Sequence, residues 1–186
     1  SGVSRINIKL KSIEGTEING QGPYISSEYI EKLFKQLDSL NENDILVLAG
    51  SVPDSVPDSI YKVIMNRLSD KKVMIVVDAS NDLLVNVLEN HPFLIKPNSF
   101  ELGEIFGKDI HDRKDIMKHA KLLQQMGARN VLVSMAGDGA ILAAENGRIY
   151  DAPAPKGKLI NGVGAGDSMV AVFVAGWIEK QDYEYA

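Results

Sequence analysis

The amino-acid sequence predicts an α/β fold in which a mostly parallel sheet is covered by helices on both faces. Four short apolar runs have strand length and little polar alternation, as is typical of covered strands. They are Ile45–Ala49, Lys72–Val77, Phe93–Ile95 and Asn130–Ser134. Segments with apolar residues at helical spacing lie between them. This alternation of strands and helices predicts βαβ units, and therefore parallel strand pairing.

Composition limits the classes of function. The 186 residues are 45% hydrophobic and 24% charged, which is ordinary for a globular domain with one core. The net charge of −5 argues against non-specific nucleic-acid binding, so we expect no nucleic-acid partner. No run approaches the roughly 18 apolar residues of a membrane span, so we expect no membrane partner. The absence of cysteine excludes disulfides and fits a cytoplasmic location.

Helices are expected on either side of the covered strands. Ser26 is a plausible N-cap for a helix through Leu37. Three further helices are predicted over Asp58–Leu68, Asn81–Leu88 and Asp115–Met126. After the fourth strand, Ala140–Ala143 and Arg148–Tyr150 flank an Asn-Gly turn, which predicts an antiparallel section beside the parallel strands.

The N-terminal residues predict a small separate sheet. Residues 5–11 alternate, with Ile6, Ile8 and Leu10 on one face, which is typical of a half-buried strand. Residues 16–19 are predicted to form a short partner strand, and the break at Gly20–Pro23 is expected to end the hairpin. Because an isolated hairpin is only marginally stable, we expect it to pair with another chain or with preceding residues.

A glycine-rich stretch, Asn161–Ser168, precedes the apolar segment Met169–Ile178. The apolar segment has no polar face, which predicts a buried helix. A glycine-rich turn at a helix start directs backbone N–H groups and the positive end of the helix dipole at one point. Such a turn suits a phosphate or a developing oxyanion. It matches neither the P-loop nor the dinucleotide fingerprint.

Asp167 is the one acidic residue of this turn. It could cap the helix, since aspartate is common in first turns. It could instead accept the proton of a substrate hydroxyl during phosphoryl transfer, where positioning matters more than base strength. Three glycines at alternate positions are not needed for a cap, which favours the second role.

Polar residues follow the carboxyl ends of the predicted parallel strands, where open α/β sheets bind ligands. Gly50 and Ser51 follow the first, and could be a plain turn. Asp78 ends the second, and either lines the cleft or caps the next helix. After the third, Asn98 and Glu101 have capping-box spacing, although the same groups could hold the water shell of a magnesium ion. Lys96 could supply charge to a phosphate.

Gly164–Ala171 resembles the second signature of the ribokinase-like, or phosphofructokinase B, sugar kinases. Asn161 and Val163 before it, and Ser168 and Met169 after it, resemble the branch of the 1-phosphofructokinases and tagatose-6-phosphate kinases. Other stretches fit the same family. They are R-x-N at Arg5, G-S-x-P at Gly50, K-P-N-x-x-E at Lys96 and the loop Ser134–Gly139, in which Ala136 replaces an expected glycine.

The resemblance implies a ribokinase-like three-layer α/β/α sandwich, with residues 1–22 as remnants of a β lid and residues 23–186 as the core. It implies that both ends of the family fold lie outside this chain. It allows a homodimer through the lid in the full-length protein. A hairpin turn remains the alternative for the loop Ser134–Gly139.

The resemblance also implies site residues. Asp167 is the expected base, and the amides of Gly164, Ala165 and Gly166 stabilise the transferring phosphoryl group. Arg5 and Ser51 are expected to bind the substrate phosphate, with Asp167 at the acceptor hydroxyl. Asn98 and Glu101 are expected to hold magnesium through water. The expected nucleotide-binding residues are Lys96, Asn98, Gly166, Ser134, Met135, Ala136, Gly137, Asp138 and Gly139.

The resemblance implies a kinase that uses ATP and Mg2+ to phosphorylate a ketohexose phosphate, with fructose 1-phosphate converted to the 1,6-bisphosphate. Tagatose 6-phosphate is the alternative acceptor. An alternative of another class is a non-catalytic fragment that binds nucleotide or sugar without turning it over.

Overall fold

The computed structural model describes residues 4–9, 17–20, 22–158 and 162–186. The chain first forms β1 Asn7–Lys9 and β2 Glu17–Asn19. The strands that follow are β3 Ile45–Ala49, β4 Met74–Asp78, β5 Leu94–Ile95, β6 Asn130–Ser134, β7 Ala140–Ala143 and β8 Ile149–Ala152. These six strands form a central sheet in the order β3-β4-β5-β6-β7-β8, in which β3 to β6 pair in parallel and β6 to β8 pair antiparallel. The predicted mostly parallel sheet with an antiparallel section is confirmed.

Six α-helices accompany the sheet in the described part of the chain. They are α1 Ser27–Leu37, α2 Ile60–Arg67, α3 Asn81–Val85, α4 Ser99–Phe106, α5 Arg113–Gln125 and α6 Ala165–Lys180. The predicted helix over residues 81–88 is shorter than expected, because the chain turns into a 3-10 helix at Leu88–Asn90. Predicted ends elsewhere differ by a few residues, as expected where helices fray.

Alternate strand residues pack into two separate apolar layers, which makes the fold a three-layer sandwich. Val77, Ile95 and Val131 face the layer built with helices α1 to α5. Val76, Leu94 and Leu132 face the opposite layer, where α6 packs. Many side chains at the centre of both layers are fully buried. The predicted covering of both faces is therefore confirmed.

Helix α6 is a correction to the sequence analysis. It was predicted to be buried on every side, but only Val170, Phe173 and Val174 are buried, whereas Val172 and Ile178 are 67% and 57% exposed. One face lies on the sheet, and nothing in the described residues covers the other. Apolar composition therefore did not establish full burial here.

The N-terminal strands form their own two-stranded antiparallel sheet from β1 Asn7–Lys9 and β2 Glu17–Asn19. Ile6 and Ile8 are 62% and 48% exposed, so the expected half-burial of this face is wrong for this chain. Leu10, residues 11–16, Gln21 and Asn161 lie outside the described residues. Within the described part, no helix is long and apolar enough to cross a bilayer.

Candidate active site

A cleft of about 620 Å³ lies where the N-terminal hairpin meets the loop after β3. Arg5 and Ser51 both line it, and the Arg5 guanidinium donates a hydrogen bond to Ser51 Oγ. The Arg5 Nε also donates to Asn7 Oδ1 at 3.0 Å, which orients the guanidinium along β1. Because a guanidinium binds phosphate oxygens in a fork, this pair can hold an anionic group at the cleft.

The loop that carries Ser51 is fixed from below by Tyr61 of α2. The Tyr61 hydroxyl lies 3.0 Å from the carbonyl oxygen of Ala49 and 3.2 Å from that of Gly50. The Tyr61 side chain is buried, and burial raises its pKa, with the nearby Asp78 carboxylate adding to the rise. Tyr61 therefore stays protonated and donates to the loop. The sequence analysis missed this residue, since no motif identifies it.

The glycine-rich turn leads into α6 as predicted. Gly164 is the N-cap, with φ of 77°, a conformation that glycine adopts at little cost. The amide of Ala165 donates to the Gly162 carbonyl at 3.2 Å, so one of the three predicted amides is engaged within the turn. The amides of Gly166 and Asp167 have no hydrogen-bond partner among the described residues. They remain available at the positive end of the helix.

Asp167 lies in the first turn of α6 and is exposed. Asp167 is not the cap of the helix, since Gly164 occupies the N-cap position. No ion pair joins its carboxylate to another residue of the described chain. The carboxylate is therefore open to a substrate hydroxyl, as a base requires.

Lys96 lies beneath this turn. Its side chain is 8% exposed, and its ammonium forms an ion pair with Asp78, with 3.1 Å between Nζ and Oδ1. A Cβ on Gly166 would lie 3.2 Å from Lys96 Nζ. The structure therefore brings Lys96 and the helix start into contact. Asp78 is not the cap of α3, because Ser80 occupies that position, which answers one alternative left open by the sequence.

Asn98 and Glu101 form a complete capping box at α4. Asn98 Oδ1 accepts from the Glu101 amide, and Glu101 Oε2 accepts from the Asn98 amide, both at 2.8 Å. The structural alternative is therefore confirmed. Glu101 Oε1 has no hydrogen-bond partner among the described residues, which leaves one hard oxygen for the water shell of a magnesium ion. The residues present thus fit a water-mediated role.

The loop Ser134–Gly139 follows β6 and lies beside Asn98, which forms an isolated parallel bridge to Ser134. Its centre is a 3-10 turn at Ala136–Asp138. Ala136 has φ of 48°, so the residue that replaces the expected glycine adopts a backbone conformation that glycine would favour. Gly139 has φ of 96°, and a Cβ there would lie 2.0 Å from the Ala152 carbonyl oxygen. The loop is therefore a hairpin connection whose shape depends on Gly139.

An apolar cavity of about 580 Å³ opens between this loop and α6. Ala136 and Gly139 line one side, and Ala165, Ser168 and Met169 line the other. Arg113 holds the loop from outside, since its guanidinium donates to the Asp138 carbonyl and pairs with Asp151. A flat apolar group bound here would meet the predicted nucleotide loop and the start of α6 together.

A series of direct contacts joins the predicted site residues. Arg5 contacts Ser51, and the amide of the neighbouring Gly50 donates to the Asp78 carbonyl at 3.0 Å. Asp78 pairs with Lys96, which contacts Gly166. The cleft, the ion pair and the helix start thus form one edge of the sheet. Among the described residues, no cluster of three or more histidine, cysteine or acidic side chains could hold a metal directly.

This constellation, an anion cleft and a helix start beneath an exposed carboxylate, is typical of an enzyme that transfers phosphoryl groups. The model of the pfkB family carbohydrate kinases matches residues 3–186. The chain therefore belongs to the pfkB family of carbohydrate kinases.

Relatives and solved structures agree with that assignment. The chain is 49% identical over 180 residues to the 1-phosphofructokinase of Bacillus subtilis, covering 97% of this chain and 59% of that protein. It is 37% identical to the D-tagatose-1-phosphate kinase of Bacillus licheniformis, covering 93% of this chain and 57% of that protein. The chain thus spans less than two thirds of the length of these curated relatives.

The crystal structure of Escherichia coli phosphofructokinase-2 in complex with fructose-6-phosphate has the same fold. The TM-score is 0.81 at 23% identity, covering 94% of this chain and 58% of that one. The predicted ribokinase-like α/β/α fold is confirmed, since Arabidopsis thaliana ribokinase complexed with ribose and ATP also matches, with a TM-score of 0.67.

Proposed function

We propose that the full-length protein transfers the γ-phosphoryl group of ATP to the 6-hydroxyl of fructose 1-phosphate. The single observation that carries this proposal is the contact series from the Arg5–Ser51 cleft, through Asp78 and Lys96, to the start of α6. It connects a cleft suited to the sugar phosphate with a turn suited to the transferring group. The 49% identity to a 1-phosphofructokinase supports the choice of acceptor.

In this reaction Asp167 accepts the proton of the 6-hydroxyl as that oxygen bonds to the γ-phosphorus. The bond between the γ-phosphorus and the bridging oxygen breaks, and ADP leaves with the electron pair. The Gly166 and Asp167 amides donate to the phosphoryl oxygens, and Lys96 supplies a fixed positive charge beside them. Arg5 and Ser51 hold the 1-phosphate, which orients the sugar for attack.

The nucleotide is assigned to the cavity between the loop Ser134–Gly139 and α6. Its apolar lining suits a flat base, and Ala165 and Ser168 from the start of α6 line it next to the Gly166 turn, where the phosphates would lie. Magnesium held through water at Asn98 and Glu101 would neutralise phosphate charge, which is the usual contribution of this ion to phosphoryl transfer. We infer a cytoplasmic location, which the absence of cysteine and the phosphorylated substrates support.

The acceptor is tested by an ADP-release assay of the full-length protein with several sugar phosphates. We expect the highest kcat/KM with fructose 1-phosphate. D-tagatose 1-phosphate belongs in the panel because a relative carries that name, and tagatose 6-phosphate is the alternative expected from the sequence. The absence of sugar-dependent ADP release with every one of these compounds would show that the proposal is wrong.

The second candidate function is binding without turnover by the 186-residue chain itself. It is favoured by the share of the relatives that this chain spans, 59% of the B. subtilis protein. Two measurements on the 186-residue chain distinguish a binding fragment from a kinase. They are calorimetry with ADP and the same ADP-release assay. Nucleotide binding without fructose 1-phosphate turnover supports the binding fragment, whereas turnover supports the kinase.

A further inference from the structure

The ion pair between Lys96 and Asp78 is largely buried, with 8% and 18% of the two side chains exposed. Lys96 is 6% exposed overall, and its side chain is enclosed between the end of β5 and the start of α6. A buried ammonium requires a partner, since burial without one is strongly unfavourable. Among the described residues, Asp78 is the only acid within ion-pair distance of Lys96 Nζ.

The ammonium also faces a second positive centre. A Cβ on Gly166 would lie 3.2 Å from Lys96 Nζ and 3.5 Å from Lys96 Cε, so the lysine side chain packs directly against the first turn of α6. That turn carries the positive end of the helix dipole. Two positive centres in contact repel each other until an anion arrives. Among the described residues, the Asp78 carboxylate, 18% exposed and 3.1 Å from Lys96 Nζ, is the ion-pair partner that keeps Lys96 in this place beforehand.

Asp78 also contacts the other half of the site through its backbone. The Gly50 amide donates to the Asp78 carbonyl at 3.0 Å, next to Ser51 and the Arg5 cleft. Asp78 ends β4, and β3 pairs with it in register up to Ala49. One residue therefore fixes the backbone of the sugar-phosphate loop and the charge beneath the phosphoryl-transfer turn.

We propose that Asp78 is a positioning residue that holds the Lys96 ammonium against the α6 turn, ready for the transferring phosphoryl group. This role deepens the proposed kinase function and rests on it. The carboxylate of Asp78 acts through Lys96 and touches no reacting atom. Without the carboxylate, the ammonium moves away from the positive helix end, and the site loses charge that is fixed in place before substrate binds.

A double-mutant cycle in the full-length protein tests this role. The variants are Asp78→Asn, Lys96→Met and the double variant, compared for kcat and for KM of ATP and of the sugar phosphate. We expect Asp78→Asn to lower kcat on the order of tenfold or more, with a smaller change in the sugar KM. In the Lys96→Met background the same change should have almost no further effect on kcat.

A merely structural role would give a different result. If Asp78 only stabilised the fold, Asp78→Asn would lower kcat by the same factor with or without Lys96, or would lower the melting temperature alone. Either result would overturn the positioning role, and so would a Lys96→Met variant with the kcat of the wild type. Asp70→Asn is the matched control, since Asp70 is exposed in the 3-10 turn Ser69–Lys71 before β4.

Two further measurements cover the remaining cases. If Asp78→Asn does not fold, Asp78→Glu keeps the charge and moves the carboxylate by one methylene. We expect the Asp78→Glu variant to fold, and to lower kcat when Lys96 is present but not in the Lys96→Met background. Losses of kcat that add up in the two backgrounds would overturn the positioning role. The same cycle measured as ADP affinity by calorimetry needs no sugar turnover. If the ADP affinities are non-additive but the protein phosphorylates no sugar, the coupling between Asp78 and Lys96 stands and the proposed sugar acceptor is wrong.

Discussion

At the scale of single residues, the site depends on which groups are engaged by the protein and which are left for a substrate. The Glu101 carboxylate uses one oxygen in a capping box, and Lys96 is paired with Asp78. The Asp167 carboxylate, by contrast, is exposed and makes no helix cap. A substrate hydroxyl approaching the start of α6 therefore meets an acceptor that has no competing partner in the described chain.

Replacing Asp167 with asparagine should remove the base and keep the shape of the turn. We expect kcat to fall about 100- to 10,000-fold, because the hydroxyl proton then has no acceptor in the attack step. The affinity for ATP should change little, since the Asp167 side chain is not assigned to the nucleotide and the substitution keeps the backbone amide. Single-turnover kinetics and ADP calorimetry measure the two effects, with Asp70→Asn as control. A variant that retained the wild-type kcat would refute the base.

Replacing Gly166 with alanine should separate stability from activity. Alanine is favoured over glycine within a helix by up to about 1 kcal/mol, so the melting temperature should hold or rise. The new Cβ would lie 3.2 Å from Lys96 Nζ, and the ammonium must shift although Asp78 holds it. We therefore expect a several-fold lower kcat. Gly157→Ala is the control, since a Cβ there meets nothing within 4 Å, and equal losses in both variants would contradict this reasoning.

At the scale of elements, α2 supports the loop after β3 through one buried hydroxyl. Tyr61→Phe removes the hydrogen bonds to the Ala49 and Gly50 carbonyls, which lie beside Ser51. A hydrogen bond of this kind contributes about 1 kcal/mol, so we expect the KM for the sugar phosphate to rise about fivefold while the KM for ATP stays constant. Steady-state kinetics with each substrate varied in turn measure this.

The control for Tyr61→Phe is Tyr29→Phe on the exposed side of α1, which removes a hydroxyl from a 61% exposed residue. Equal sugar-phosphate KM values in the wild type and Tyr61→Phe, with a lower melting temperature in the variant, would mean that the hydroxyl stabilises the fold without orienting the loop.

The sequence predicted most elements because each depends on local signals. Strand β3 at Ile45–Ala49 and strand β6 at Asn130–Ser134 have their predicted limits, since both are apolar runs bounded by polar turns. The capping box at Asn98 was predictable because it depends on a spacing of three residues. Arg5 and Ser51 were predicted as site residues only from the family motifs. Without those motifs, Arg5 would be interpreted as a surface charge and Ser51 as part of a turn.

Contacts between distant segments were not predictable in this way. The pair Asp78–Lys96 joins two strand ends 18 positions apart in the sequence, and no spacing rule pairs them. Tyr61 was missed for the same reason. The prediction that α6 is buried on every side was wrong, since Val172 is 67% exposed. The apolar residues of a helix do not show which other elements pack against it. Tertiary packing, rather than local propensity, determines each of these features.

At the scale of the whole molecule, a partly exposed hydrogen-bond network joins the C-terminal turn to the sheet on the side of α6. Glu145 after β7 accepts hydrogen bonds from Arg129 at 2.6 and 3.1 Å and from the Tyr183 hydroxyl. Trp177 of α6 stacks on Tyr183 with ring centroids 4.2 Å apart. The network therefore connects α6, the C-terminal turn and two neighbouring strands.

Stability should depend on pH through Glu145. Burial raises the pKa of Glu145, but the hydrogen bonds from Arg129 and Tyr183 outweigh burial, so the net pKa is lowered. The stabilisation from the charged Glu145 side chain is therefore fully present above the pKa of glutamate in the unfolded chain, which is about 4.3. It is lost as pH falls through the lower pKa of Glu145 in the folded chain. Glu145→Gln should lower stability by about 1 kcal/mol at pH 7, and the difference from wild type should shrink below about pH 4.

Thermal unfolding between pH 3 and pH 8 measures this dependence. Glu42→Gln is the control, since Glu42 forms an exposed pair with Lys72 at 3.4 Å, and such surface pairs contribute little. A difference between wild type and Glu145→Gln that is constant across this pH range would contradict the assignment of the charge. At the alkaline end, burial and the bond to Glu145 raise the pKa of Tyr183, so its contribution declines above about pH 10.

The hairpin β1–β2 has an apolar face that the described chain leaves exposed. Ile8 and Ile18 are cross-strand partners, 48% and 54% exposed, and Ile6 lies on the same face as Ile8. Because a two-stranded sheet is marginal alone, we expect this face to pair with its counterpart in a second copy of the full-length protein. Ile8→Glu should then convert a dimer into a monomer in analytical ultracentrifugation and raise the KM for the sugar phosphate, since the hairpin carries Arg5. Leu33→Glu on the exposed side of α1 is the control, and a wild-type protein that sediments as a monomer at micromolar concentration would exclude the dimer.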